Sequence, residues 1–341
     1  MLSLIRAHGQ LSKAQIAELS GLTAQTASVI SRSLMEAGLL RAGAPVGGKV
    51  GQPFVPLSLN PEGAMFFGLH LDEREARLGL VDFTGSVITE KILPLASLDL
   101  EKIAKFTRDL VTRTRSAFDR DQNTRIQGLG VSVTGGRVRN GTRDLSWQEL
   151  DGAFAALGQS LGLATYVASE AIAACSAELI YGVGGSISDF AYVFIGHSVS
   201  GGLVQNGRIR FARDDTGSNM GRVLVPSADG PMVPLRTLAS AARRKTANTK
   251  SFELLVGGIA HAAHAASSVV NFEAIIVDGS IEPEMLKHVT LQLRAALDSL
   301  NDDVASALLV REGSRARKQA VLGASCLPLA DRFYPEPSGK S

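Results

Sequence analysis

The sequence predicts a small all-α amino-terminal module of helix-turn-helix type followed by a larger layered α/β body. Three observations carry that reading. The first 40 residues are helical in pattern, from Phe66 onward short β-rich runs alternate with helical ones, and the stretch 43–61 between them holds Pro45, Gly47, Gly48, Gly51, Pro53, Pro56 and Pro61. A domain boundary is therefore expected near residue 60, with the Gly/Pro stretch forming a β-wing and then a linker. At 341 residues the chain is long enough for two or three domains.

In the amino-terminal module, Ser12-Lys13-Ala14-Gln15 has the spacing of a capping box, which starts a helix at Lys13 that runs to Ser20. Gly21-Leu22-Thr23 makes a turn, and Thr23 caps a second helix over 24–37. On a helical wheel Ala27, Ile30, Leu34 and Ala37 share one face of that helix, and Gln25, Ser28, Val29 and Arg32 share the other. Short side chains let a backbone enter the major groove while Gln and Arg reach base edges, so Thr23, Ala24, Gln25, Thr26, Ser28 and Arg32 are candidate DNA-binding residues. Lys49, on the wing, is a candidate phosphate contact. Residues 1–60 carry Arg6, Lys13, Arg32, Arg41 and Lys49 against Glu18 and Glu36, a basic bias within a chain of formal charge +2.

In the body, strands are expected over 66–71, 76–82 and 86–93, the last two joined by a turn at Thr84-Gly85. Helix 100–118, strand 127–133, helix 148–161, strand 165–168 and helix 170–181 then alternate, the grammar of parallel crossovers. A second set begins with strands over 190–195, 202–205 and 208–211, the last two joined at Asn206-Gly207. Three meandering strands followed by αβ units, occurring twice, is an internal repeat of architecture.

Composition excludes several classes. With 35 Lys+Arg against 33 Asp+Glu, 45% hydrophobic and 20% charged residues, the chain is neither disordered nor a polybasic nucleic-acid coat. Cys175 and Cys326 are too few and too far apart for a disulfide framework or a Cys-x-x-Cys zinc site, so a reducing, cytoplasmic setting is the default. Arg6 interrupts any signal-length apolar run, and residues 254–270, with two glycines, two histidines and two serines, read as a buried helix and not a membrane span. His261 and His264 share a helix face with no third ligand nearby, and Gly182-Val183-Gly184-Gly185 reads as a helix C-cap.

Gly9-Gln10-Leu11-Ser12-Lys13-Ala14-Gln15-Ile16-Ala17, Gly21-Leu22-Thr23 and Gly38-Leu39-Leu40 in the head, with Gly68-Leu69-His70-Leu71-Asp72 opening the body, resemble the repressors of the ROK family. The resemblance covers nearly the full chain. It implies a winged helix-turn-helix joined to a two-lobed α/β body of the actin/hexokinase (ribonuclease H-like) fold: head 1–60, first lobe 61–170, second lobe 171–330 with its last helix returning to the first, and a loose tail 331–341. It further implies a sugar-responsive regulator, expected to repress, that binds double-stranded operator DNA as a homodimer or higher homo-oligomer. No membrane partner is expected.

Residue by residue, the resemblance implies losses at the family's kinase stations. Asp72 matches the acidic residue of the first phosphate loop, but Glu73-Arg74-Glu75 stand in place of Gly-Gly-Thr, and the second loop, residues 196–202, keeps part of its glycine pattern. Ala168-Ser169-Glu170 replace Glu-Asn-Asp, putting a carboxylate one methylene longer where the family's catalytic base stands. Ser218-Asn219-Met220-Gly221-Arg222 replace Gly-Glu-x-Gly-His, the zinc cysteines are missing, and Arg236 stands for a sugar-binding Glu. Gly135 matches the family's Pro-Gly loop, and Asp144-Leu145-Ser146-Trp147 its Asn-Leu-x-Trp. No enzymatic activity, metal or cofactor is therefore expected, and Gly135, Asp144, Ser169, Glu170, Asn219, Arg222 and Arg236 are candidate ligand-binding residues for a small effector, a sugar or sugar derivative. A sugar kinase with an added head and a ligand-independent DNA-binding scaffold are the alternatives.

Overall fold

The computed structural model describes residues 1–47, 54–135, 138–140, 143–210, 219–227, 230–239, 249–300, 307–314 and 320–334. The chain opens with α1 (Leu2–His8), β1 (Gln10–Leu11), α2 (Lys13–Ser20), α3 (Ala24–Glu36), β2 (Leu40–Ala42) and β3 (Leu57–Leu59). The capping box forms as read: the Gln15 amide donates to Ser12 Oγ at 3.2 Å, and the Ser12 amide donates to Gln15 Oε1 at 2.9 Å. Gly21 closes α2 in the left-handed region at φ 68°, and Thr23 Oγ1 caps α3 by accepting from the Thr26 amide at 3.2 Å.

The head is not all-α. An antiparallel sheet of order β1-β3-β2 backs the helices, and β3, in the stretch expected to be a linker, is its central strand. Leu11, Leu40, Leu57 and Leu59 turn one face of this sheet into the core with Ile5, Ile16 and Ala27. Strands of two or three residues are too short to show alternation, which is why they escaped the sequence pattern. Beyond them Val46 and Phe54 form one antiparallel bridge, and Lys49 lies outside the described residues.

The body starts with the meander β4 (Met65–Leu71), β5 (Glu75–Asp82) and β6 (Val87–Pro94), followed by α4 (Leu100–Ser116), α5 (Arg120–Thr124), β7 (Ile126–Val133), the ribbon β8 (Val138–Asn140) and β9 (Arg143–Leu145), α6 (Trp147–Leu161), β10 (Thr165–Ser169) and α7 (Glu170–Tyr181). Its sheet has the order β10-β7-β4-β5-β6, with parallel pairing at β10/β7 and β7/β4 and antiparallel pairing in the meander. The second half comprises β11 (Phe190–Ile195), β12 (Val199–Gln205), β13 (Arg208–Arg210), the ribbon β14 (Leu224–Pro226) and β15 (Met232–Pro234), α8 (Thr249–Ser267), β16 (Ala274–Gly279), α9 (Pro283–Asp298), β17 (Leu309–Glu312) and α10 (Ala320–Phe333).

Its sheet, β13-β12-β11-β16-β17, repeats the first: an antiparallel meander on one side and two parallel strands on the other. Asn206 and Gly207 join β12 to β13 with φ of 53° and 69°, the positive pair that a two-residue hairpin turn requires. The loop expected over 196–202 is shorter than read, because Gly201 and Gly202 lie inside β12. A Cβ on Gly201 would sit 2.0 Å from the Tyr192 carbonyl oxygen and one on Gly202 2.9 Å from Cys175 Sγ, so both serve close packing.

Between the sheets run two helices buried on all sides. Every residue of α7 from Ala171 to Ile180 is buried, as is every residue of α10 from Val321 to Leu329. Helix α10 packs on α7 and on β4, β5, β7 and β10 of the first sheet. Its last turn is not loose as expected: the Phe333 ring lies 4.9 Å from that of Phe83, the Tyr166 hydroxyl donates to Asp331 at 2.7 Å, and Tyr334 joins the core shared with the head. Residues 335–341 lie outside the described residues.

The contact between α10 and the sheet is backbone on backbone. A Cβ on Gly130 would come within 1.8 Å of the Ala324 carbonyl oxygen, and one on Gly68 within 2.0 Å of that of Val321. Gly130→Ala is expected to destabilise the chain by ~3 kcal/mol or more, at the upper end of overpacking costs, because neither obstacle is a flexible side-chain tip. Gly152→Ala, in α6 with nothing within 4 Å of its Cβ position, is expected to stabilise by ~0.5–1 kcal/mol. Urea denaturation of the two variants checks both signs.

Candidate functional site

Two surfaces gather most of the residues singled out by the sequence. The first is the outward face of α3. Thr23, Ala24, Gln25, Thr26, Val29 and Arg32 are exposed and Ser28 is half-buried, while Ala27 and Ser31 are buried against the rest of the head. Ser31 takes the inner position that the helical wheel offered to Ile30; it can do so because its hydroxyl donates to the Ala27 carbonyl at 2.7 Å. No hydrogen bond among the described residues engages the side chains of Gln25 or Arg32, so both are available to a ligand.

The head is fastened to the body. Helix α1 lays Arg6 over the rings of Phe83, 4.9 Å to the centroid, and Tyr181, 5.2 Å. The guanidinium donates to the Tyr334 hydroxyl at 2.9 Å and the Phe83 carbonyl at 3.4 Å. On another side Arg125 donates to the Ala37 carbonyl at 2.7 Å, just past the end of α3. One apolar cluster runs from Ile5, Leu11 and Ile16 in the head to Phe66, Val81, Ala177, Ile180 and Val321 in the body.

The second surface lies where β4, β7 and α7 meet. Ser169 caps α7, its Oγ accepting from the Ile172 amide at 3.4 Å, and places Glu170 in the first turn. The Glu170 carboxyl pairs with the Thr134 hydroxyl and lies within electrostatic reach of Asp72; burial, with the Asp72 charge as a smaller contribution, pushes it up to about 7. Gly135, at φ 85°, carries the chain out from Thr134. Behind it His70 is buried, Nδ1 2.9 Å from Ser132 Oγ and Nε2 3.3 Å from Thr134 Oγ1. Desolvation brings His70 down to about 4, so at neutral pH the ring is uncharged. Ser132, His70, Thr134 and Glu170 form one hydrogen-bonded chain.

Gly135, Ser169 and Glu170 are thus brought together, with Thr134 and His70 as partners. The register His70↔Ser132 supplied the missing signal: both are polar residues inside strands that are otherwise apolar and buried. Arg222 and Arg236 are grouped separately, beside the second sheet. They stand exposed on adjoining 3-10 turns, Asn219–Arg222 and Leu235–Leu238, tied by the Leu235 amide donating to the Val223 carbonyl at 2.9 Å. The side chains of Asp144 and Asn219 lie outside the described residues.

At the head of β5, Asp72 to Glu75 form a tight hairpin: the Asp72 amide donates to the Glu75 carbonyl at 2.9 Å and the Arg74 amide to Asp72 Oδ1 at 3.3 Å. Among the described residues no group of three or more His, Cys, Asp or Glu could hold a metal ion, and no helix is long and apolar enough to cross a membrane.

No protein-family model matches the chain. A crystal structure described as a ROK family transcriptional regulator, homolog of the E. coli MLC protein, superposes with a TM-score of 0.65 over 93% of this chain and 91% of that one, at 17% identity. Its fold is that of the ROK proteins. The ROK hexokinase of Thermus thermophilus matches with a TM-score of 0.60 over 76% of this chain and 97% of that one, at 14% identity, so regulator and kinase share the ROK body. In sequence, a transcriptional regulator of Mycobacterium tuberculosis is 29% identical over 219 residues, covering 60% of this chain and 48% of that protein. The xylose repressor of Caldicellulosiruptor bescii is 24% identical over 205 residues, 58% of this chain and 51% of that one. The chain thus spans about half the length of these relatives.

Two measurements probe these arrangements. Glu170 is protonated more readily folded than unfolded, so its contribution to stability is present below about pH 4.5 and is lost as pH rises towards 7. His70 is protonated less readily folded, so its contribution is present above about pH 6.5 and is lost as pH falls towards 4. The two slopes oppose each other across the same window. Glu170→Gln is therefore expected to gain stability relative to the parent as pH rises from 5 to 8, by up to ~3 kcal/mol, and to unmask a rising profile from His70. Urea denaturation at pH 5 and 8 reads the difference. Arg6→Ala is expected to cost ~1–2 kcal/mol and to lower amide protection in α1 before that in β4, followed by hydrogen exchange.

Proposed function

We propose that this chain is a DNA-binding transcriptional regulator with a winged helix-turn-helix over residues 1–60 and a ROK body that senses a sugar or sugar derivative without phosphorylating it. The observation that carries the proposal is the face of α3, where Gln25 and Arg32 stand exposed with no partner among the described residues, on a head fastened to the body at Arg6 and Arg125. A helix set into the major groove needs such a face, and Arg32 suits a base edge or a phosphate. The relatives named regulator and repressor favour this reading over that of a scaffold. A single recognition helix spans only a few base pairs, so the chain binds its operator as a homodimer or higher homo-oligomer.

The sugar-sensing part rests on Gly135, Ser169 and Glu170 around one carboxyl, and on Arg222 and Arg236 as cationic partners, with Asp144 and Asn219 completing the set. Against phosphoryl transfer stands the hairpin at Asp72. Both of its amide donors described above are spent within the turn, and Glu73 adds negative charge where a nucleotide phosphate would need donors. Glu170 is longer than the family's Asp and is held by Thr134.

Replacing both Gln25 and Arg32 by Ala is expected to lower affinity for selected genomic DNA at least ~10-fold, read by fluorescence anisotropy at fixed salt. Unchanged affinity would remove α3 from the interface. In a coupled ADP-release assay with ATP, magnesium and a panel of hexoses and amino sugars, the parent chain is expected to show no sugar-dependent turnover. A rate of ~1 s⁻¹ or more that disappears in Glu170→Ala would make it a kinase.

A further inference from the structure

We infer that Val29 reads the 5-methyl group of a thymine in the operator, one or two base pairs from the position met by Gln25. The inference rests on the reading that α3 enters the major groove, and it assigns a chemistry to one position on that face.

Val29 is 59% exposed, against 48% for Leu19, 43% for Val46, 42% for Val55 and 39% for Phe54, the other exposed large apolar side chains among the described residues of the head. It sits in the middle of α3, where a β-branched residue is a poor helix former, and the burial of Ala27 and Ser31 shows that the core lies on the other side. Packing therefore does not call for it, and local propensity argues against it. A conflict of that kind on a surface helix is where function is to be sought.

Its neighbours say what it meets. One turn back are Gln25 and Thr26 and one turn on is Arg32, all exposed, so Val29 is an apolar island inside a polar, hydrogen-bonding face. The floor of the major groove is polar at every base edge except one, the methyl group of thymine. A valine has no donor or acceptor for the other edges and would leave them unsatisfied, whereas its methyls can cover that group and exclude water from it. Gln25 is four residues away, ~6 Å along the helix axis, against ~3.4 Å per base pair of duplex, which sets the two readings one or two steps apart. Gln suits adenine through its bidentate N6/N7 edge.

The test uses the full chain and a duplex selected for binding to it. Each thymine is replaced in turn by deoxyuridine, which removes the methyl group and leaves base pairing unchanged. The parent chain is expected to lose about four-fold in affinity at one position of each half-site, the worth of one methyl group taken from water. In Val29→Ala, a better helix former at an exposed position, that position should become insensitive to the replacement while the others keep their effects. Loss of the methyl effect at no position in the parent chain, or an equal loss in parent and variant, overturns the assignment. If the duplex is bound equally well by the Gln25→Ala/Arg32→Ala chain, the placement of α3 itself has failed, and the Val29 assignment fails with it. Should Val29→Ala instead change the oligomeric state in sedimentation with the uridine pattern unaltered, Val29 is a contact between copies and the assignment is overturned.

Discussion

The contact of one helix backbone with one sheet governs this molecule. Gly68 on β4 and Gly130 on β7 leave no room for a Cβ, and the carbonyls of Val321 and Ala324 occupy that space. At such a distance α10 is held by dispersion over its whole length, and its buried run from Val321 to Leu329 excludes water from the sheet. On its other side Gly323 lets α10 approach the Ala173 backbone of α7, where a Cβ would lie 3.2 Å away. Two glycines on adjacent strands and a third on the helix thus set the spacing of sheet, α10 and α7.

That spacing reaches both candidate surfaces. Helix α7 begins at Ser169 and Glu170 and ends at Tyr181, whose ring carries Arg6 of the head; twelve residues separate the two, ~18 Å of buried helix. Helix α10 ends at Phe333 and Tyr334, which complete the same aromatic box. The head consequently docks on the ends of the two helices that organise the interior. Its orientation is a property of the body core, not of a free tether.

The polar chain under Glu170 shows how an apolar interior tolerates titratable groups. Burial disfavours the charged form of both groups, bringing His70 down to about 4 and pushing Glu170 up to about 7, and hydrogen bonds through Ser132 and Thr134 link the two. When protonated, the Glu170 carboxyl can donate a hydrogen bond as well as accept one.

Much of this was legible in the sequence, and for local reasons. Capping residues, helical periodicity and turn chemistry act within a few positions, so α2, α3 and the Asn206-Gly207 hairpin could be placed from Ser12, Thr23 and Gly207, and α7 and the repeated meander from their patterns. The exposed face of α3 followed from the same periodicity. What tertiary structure decided depends on residues far apart. The short strands of the head become a sheet only when β3 comes back to lie between β1 and β2. Glycines 201 and 202, phosphate-loop candidates by motif, prove to be packing residues once Tyr192 and Cys175 lie against them. His70, silent within an apolar run, gains a role when β7 brings Ser132 and Thr134 beside it. Local rules set the elements because their energies are local; burial, close approach and the perturbed Glu170 arise only when distant segments remove water from one another.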